Sequence, residues 1–195
     1  MTETNPPYHK GNLREDLIEA GIALVRDGGP DALTIRGVAA RVGVSHAAPK
    51  HHFASLEALR TAVAIEGHRR FTAAMEAAIA EAGPGARAAL VAAGIGYIRF
   101  ARRHPGLFQV MFSGPIDRDD PGFQAAAGAS YGVLARVCAP VAHGPAGAEG
   151  TETLVWSLAH GFSALMLGGK HELQDPAHAE TIFRQIFPDL PMHDA

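Results

Sequence analysis

Apolar residues recur every three to four positions along this chain and are cut at intervals by glycine and proline, a pattern that constrains the fold more than any other feature. A period near 3.6 stacks side chains on one face of a helix, whereas a half-buried strand needs strict alternation, and no Val/Ile/Thr-rich alternating run occurs. The chain therefore reads as all-α. Its main interruptions are Asp27-Gly28-Gly29-Pro30, Gly43, Gly83-Pro84-Gly85 and His104-Pro105-Gly106.

Between these breaks the elements can be placed. A first helix is expected over Leu13–Val25, with Leu13, Leu17, Ile18, Leu24 and Val25 on its apolar side. Thr34 is suited to cap a short second helix through Arg41 that turns Ile35, Val38 and Ala39 inward and stops at Gly43. Ser45 is placed to cap a third, His46–His52, closed by Phe53. Ser55 caps a long fourth helix carrying Leu56, Leu59, Val63, Phe71, Met75 and Ile79 up to the Gly83 break. Ala86–Arg103 reads as a fifth helix, followed by a turn and a short aromatic segment, Leu107–Phe112. Helices over Pro121–Val137, Glu149–Leu167 and Pro176–Phe187 complete the chain. The long fourth helix runs without a breaker past Arg70, so residues 1–70 and 71–195 are expected as two domains joined by one rigid helix.

Composition narrows the function. With 47% hydrophobic and 19% charged residues over 195 positions, the chain can bury a core. No apolar run approaches the roughly 18 residues of a membrane span, and Met1–Lys10 is polar with two prolines, unlike a signal peptide, so a cytoplasmic protein is expected. The one cysteine, Cys138, offers neither an internal disulfide nor a metal spacing and reads as a small core residue. Net charge is −3, but residues 1–70 hold nine Lys/Arg and five histidines against eight Asp/Glu, while the remainder is acidic. No dinucleotide fingerprint, phosphate loop, His-Glu-x-x-His or nucleophile elbow is present, so neither an enzyme nor a cofactor or metal protein is expected.

The three short helices meet the requirements of a helix-turn-helix: small Ala39 lets two helices approach, Gly43 permits a tight connection, and Val44 seals the angle. Residues Leu33–Leu59, LTIRGVAARVGVSHAAPKHHFASLEAL, resemble the DNA-binding domain of the TetR family of repressors in Leu-Thr-x-Arg, Gly-Val-Ser, His-Phe and Ser-x-Glu-x-Leu at family spacing. The resemblance implies that the third helix enters the major groove while the preceding helix crosses the phosphate backbone. His46, Ala47 and Ala48, just after Ser45, stand where family members read bases: the imidazole by hydrogen bonds, the alanine methyls against thymine methyls. Thr34 and its helix start suit a phosphate, and Arg36 a base or the backbone. Two positions depart from the family pattern. Lys50 replaces a common tyrosine and Leu56 a common lysine, so Lys50 is expected to take the phosphate and Leu56 only to pack. Pro49, one turn into the third helix, is expected to distort it slightly. His51 is expected at phosphate and His52 beside Phe53; being adjacent, they point apart and do not share a metal.

In the second half, Tyr97, Phe100, Phe108, Met111, Phe112, Tyr131, Trp156, Phe162 and Met166 could line an apolar pocket for a small-molecule effector or could form ordinary core. Trp156-x-x-x-His160-Gly161, together with His104-Pro105-Gly106-Leu107-Phe108, resembles a TetR subgroup named for Trp, His and Gly; His160 can orient a ligand or bond within the core. The resemblance further implies a homodimer through the last two helices, with Ser157, Gly161, Ser163 and Ala164 allowing close packing and Leu158, Leu165, Ile182 and Ile186 supplying apolar area. Such a dimer matches a palindromic DNA operator. The expected function is a ligand-released repressor; the alternative is a helical protein that binds DNA without specificity, or a ligand, and does not repress.

Overall fold

The computed structural model describes residues 12–192. The polar stretch Met1–Lys10 lies outside them. Eight α-helices follow in order: α1 (Leu13–Gly28), α2 (Ile35–Val42), α3 (Leu56–Ala80), α4 (Ala86–Arg103), α5 (Pro105–Ser113), α6 (Pro121–Cys138), α7 (Gly147–Leu167) and α8 (Pro176–Ile186). Short 3-10 turns occupy Pro30–Ala32, Ala48–His51 and His171–Leu173. Among the described residues the sole extended pairing is one antiparallel bridge, Val141 with Met192.

Side chains placed as sequence rules require define several helix ends. The Thr34 hydroxyl accepts the Gly37 N–H at 3.0 Å, and Ser55 accepts that of Ala58 at 3.0 Å. Asp120 and Asp175 cap α6 and α8, each followed by proline at the first helical position, where no N–H is needed. Gly43 closes α2 at φ 78°, a left-handed conformation that would strain any side chain. Pro105 likewise starts a helix, so the segment expected over Leu107–Phe112 is α5, two residues longer at its start.

The third expected helix is absent as an α-helix. His46 and Ala47 form a turn, and Ala48–His51 is a 3-10 turn whose N–H groups reach three residues back: Ala48 to Ser45, Lys50 to Ala47 and His52 to Pro49. The cause is Pro49, which has no N–H to return to the Ser45 carbonyl, so the Ala48 N–H takes that oxygen and the segment tightens. Ser45 contributes its carbonyl and not a side-chain cap. The distortion is thus larger than a slight one.

The α3 helix joins the two halves of the molecule without a break. At its start Leu59 and Val63 pack with Leu17, Leu33 and Val38; further on Phe71 and Met75 enter a core with Leu90, Ile95, Ile98 and Phe183. Burying each such side chain contributes about 1.5–3 kcal/mol. Arg70 reaches from α3 to Glu19 on α1 and to Glu66 one turn back. A second connection runs through α5: a Cβ on Gly106 would stand 2.6 Å from the Val25 carbonyl oxygen, so the start of α5 lies flat against the last turn of α1.

The α3 and α4 helices cross equally closely, because a Cβ on Gly96 would meet the Ala74 carbonyl oxygen and the Met75 Cα, each at 2.7 Å. Both are backbone atoms and cannot turn aside. Gly96→Ala is therefore expected to destabilise the protein by about 2 kcal/mol, seen as a lower urea midpoint; an unchanged midpoint would show that the two helices separate freely.

Candidate functional site

The first candidate site is the surface made by α2 and the 3-10 turn. Val38 and Ala39 are fully buried, Val44 packs on the core, and Pro49 and Phe53 anchor the turn from beneath. Outward-facing residues are thereby left on one side: Thr34, Arg36, Ser45, His46, Ala47, Lys50, His51 and His52 are exposed, and Ala48 is half-buried. Because the Thr34 oxygen only accepts in its cap, its O–H stays available to a phosphate oxygen. Among the described residues Arg36 and Lys50 have no acidic partner, whereas Arg41 is held by Asp27 at 3.1 Å. Leu56 packs on the core, and the His52 ring lies 6.5 Å from that of Phe53 while remaining exposed. The surface offers two cations, hydroxyls, imidazoles and one methyl-lined patch, the chemistry of a nucleic-acid contact.

The second is a cavity of about 410 Å³ among α3, α4, α5, α6 and α7. Of the residues singled out from the sequence, Tyr97, Met111, Phe112, Tyr131 and Trp156 line it. Phe100, Phe108 and His160 do not. Phe100 packs behind Phe71, at 5.2 Å between rings, and against His104; Phe108 sits between Tyr97, Phe112 and His160. His160 bonds the Tyr97 hydroxyl through Nδ1 at 2.7 Å, so it braces the wall from outside. Burial pushes the Tyr97 phenol up, partly offset by a hydrogen bond with Trp156, and burial holds the His160 imidazole below its ordinary value. Phe162 and Met166 are core, with Phe162 edge-on to Phe183.

Sequence reasoning missed the polar centre of this cavity. His68, 5% exposed, stands in the middle of α3 with Nδ1 3.0 Å from Ser130 Oγ on α6. Thr72 donates to the His68 carbonyl and lies 3.0 Å from the same Ser130 oxygen. The rings of Phe71, Phe112 and Phe123 meet the imidazole edge-on. Burial, and secondarily the charge of Arg118, depress His68 to about 4. The partners are some sixty residues apart in the chain, beyond any motif; the only local sign was a histidine on the apolar side of a long helix. Gly128, Tyr131, Trp156 and Arg118 are the exposed lining residues and mark the opening beside α6 and α7.

A third candidate surface lies along α7. Leu154, Ser157, Gly161, Ala164 and Leu165 are exposed at helical spacing, Leu154 at 48% and Leu165 at 58%, with Ile186 exposed on α8. Among the described residues, nothing beyond its own turn of helix lies within 4 Å of where a Gly161 Cβ would be. Ser163 is not on this face: it is fully buried and donates to the Ala159 carbonyl at 2.8 Å, since it lies two positions, about 200° of helix rotation, from Gly161. Leu158 and Ile182 are half-buried against the core. Cys138 is fully buried, and burial pushes its thiol up to about 11, too high for reactivity. No helix among the described residues is long and apolar enough to cross a membrane, and no cluster there could hold a metal ion.

Comparison with known proteins agrees with this geometry. Residues 17–63 match the family model of bacterial regulatory proteins, tetR family, and residues 90–190 that of a tetracyclin repressor-like C-terminal domain. The chain is 31% identical over 181 residues to the uncharacterized HTH-type transcriptional regulator Rv0681 of Mycobacterium tuberculosis, an alignment covering 89% of this chain and 77% of that protein. A solved protein with unknown function from Rhodococcus sp. RHA1 superposes with a TM-score of 0.75 at 30% identity, over 93% of this chain and 98% of that one. A regulatory protein in the tetR family from Rhodococcus RHA1 shares the fold at 19% identity, with a TM-score of 0.64 over 94% and 99%.

Proposed function

The chain belongs to the TetR family of bacterial transcriptional regulators, and from that premise we propose that it is a homodimeric repressor released from a palindromic operator by a small molecule held in the α3–α7 cavity. The observation that carries this reading is that the cavity wall and the DNA-facing head share their supports. Met111 and Phe112 line the cavity from α5, whose Gly106 end abuts α1, and His68, Phe71 and Met75 line it from α3, whose first turns hold the head. A ligand that displaces α3 or α5 carries the head with it. The exposed α7 face supplies the two-fold contact: small Ser157, Gly161 and Ala164 admit a second helix closely, and Leu154 and Leu165, with Ile186 on α8, supply apolar area. In this reading His46, Ala47 and Ala48, at the entry to the 3-10 turn, read bases, while Lys50 and His51 in that turn and Thr34 and Arg36 at the start of α2 hold phosphates.

Genomic fragments retained by purified protein, followed by binding isotherms at two salt concentrations, test this reading. A palindromic site bound at least about a thousandfold better than random DNA is expected; uniform binding would overturn it. Lys50→Ala is expected to weaken binding to every sequence alike and to flatten the slope of log affinity against log salt by about one unit per head. An unchanged slope would remove Lys50 from the phosphate contacts.

A further inference from the structure

The hydrogen-bond protons around His68 determine what the cavity asks of its occupant. Thr72 donates to the His68 carbonyl at 3.0 Å, and Ser130 to the Ala126 carbonyl at 3.1 Å, each the bond a helical hydroxyl makes to the carbonyl four residues back. With those two protons placed, the Ser130 oxygen is left as an acceptor 3.0 Å from His68 Nδ1, so Nδ1 carries the ring proton and donates it. Nε2 is then a bare lone pair, with no partner among the described residues, on a side chain that lines the cavity. The opposite tautomer would take the Ser130 proton from Ala126 and leave an orphan N–H in an apolar wall, the costlier arrangement.

The rest of the lining excludes charge. Among the described residues it contains no carboxylate, and its one cation, Arg118, is exposed, donating to the Phe112 carbonyl at 3.2 Å with its guanidinium over the Phe123 ring. A cationic ligand would find no counter-charge, and an anionic one no buried cation. Burial keeps the imidazole neutral as well. We infer that the ligand is an uncharged, largely apolar molecule that donates one hydrogen bond, from a hydroxyl or an N–H, to Nε2 of His68. This rests on the proposed function insofar as it takes the cavity to be the effector site.

The sole tryptophan, Trp156, lies in the cavity wall and reports its filling by fluorescence. The full-length protein is titrated with 4-butylphenol, with 4-butylanisole, in which the donor is capped, with 4-butylacetophenone, which can only accept, and with 4-butylbenzoate, which is charged. The phenol is expected to bind roughly three- to tenfold more tightly than the anisole, and His68→Phe to bring that ratio to one while the anisole affinity stays within about twofold. Anisole or acetophenone binding as tightly as the phenol, or benzoate binding tightest, would overturn the inference while leaving the cavity as the effector site. Failure of all four to give saturable quenching would overturn both. A second reading needs no ligand: in the long-range ¹H–¹⁵N spectrum of the unsubstituted protein, the ring signals lost in His68→Phe should show Nδ1 protonated, and protonation at Nε2 would overturn the inference.

Discussion

Leu165→Glu is expected to yield a monomer of 20.5 kDa that has lost roughly 10²–10⁴-fold in affinity for the operator. Leu165 is the most exposed large apolar side chain on α7, so its replacement removes little packing within one subunit, and stability of the separated chain should stay within about 0.5 kcal/mol. Across a two-fold interface the same change counts twice, bringing two carboxylates into an apolar contact. The loss in DNA affinity follows from geometry and not from any altered base contact: one head bound to a half-site no longer holds the second at millimolar effective concentration. Sedimentation and an operator isotherm on the same preparation check both halves. A variant that remains dimeric would place the interface elsewhere, and one that is monomeric yet binds undiminished would show that a single head suffices.

His68 should make stability fall as the solution is acidified through the window between its ordinary and its folded ionisation. Burial lowers the imidazole from 6.5 to about 4, so between those values the unfolded chain takes up a proton that the folded chain refuses. Its contribution is complete above pH 6.5 and is lost progressively down to about pH 4, amounting to about 3 kcal/mol. His104 and His160 are also pushed down by burial and add slope of the same sign. The difference between the unsubstituted protein and His68→Phe isolates the one residue: urea unfolding at pH 7 and at pH 4.5 should show a smaller loss in the variant. Equal losses would mean that His68 titrates normally.

Local rules were legible wherever they acted on neighbouring residues. Thr34 and Ser55 cap α2 and α3, Gly43 takes the left-handed conformation, and Gly83-Pro84-Gly85 ends the long helix as its composition requires. The same kind of rule acts more strongly at Pro49 than expected: one missing N–H in a segment of barely two turns leaves Ala48–His51 as a 3-10 turn in place of an α-helix. The cavity was only half legible. Aromatic content points to α4, α5, α6 and α7 but not to α3, which supplies His68, Phe71 and Met75, and periodicity does not distinguish the inner from the outer side of a wall, so it selects Phe100, Phe108 and His160 and passes over His68, Phe123 and Ser130. Those three come together only when α3 packs against α6 and the loop before it, a long-range event with no local signature. On α7 the difference between Gly161 and Ser163 is two positions, which separates a surface glycine from a buried serine.

The unbroken α3 also sets a scale for how little displacement the protein needs in order to respond. Its 25 residues make a rod of about 37 Å. His68 sits twelve residues, about 18 Å, from the start of α3, so a tilt of about 5° about that point swings the start through about 1.6 Å, about half the 3.4 Å rise from one base pair to the next. On the proposed function α3 would act as a lever: a change at His68 too small to disturb a well-packed interior would become, at His46, an error of about half a step along the duplex. In a dimer the two errors are made in opposite directions, and the spacing between half-sites doubles them.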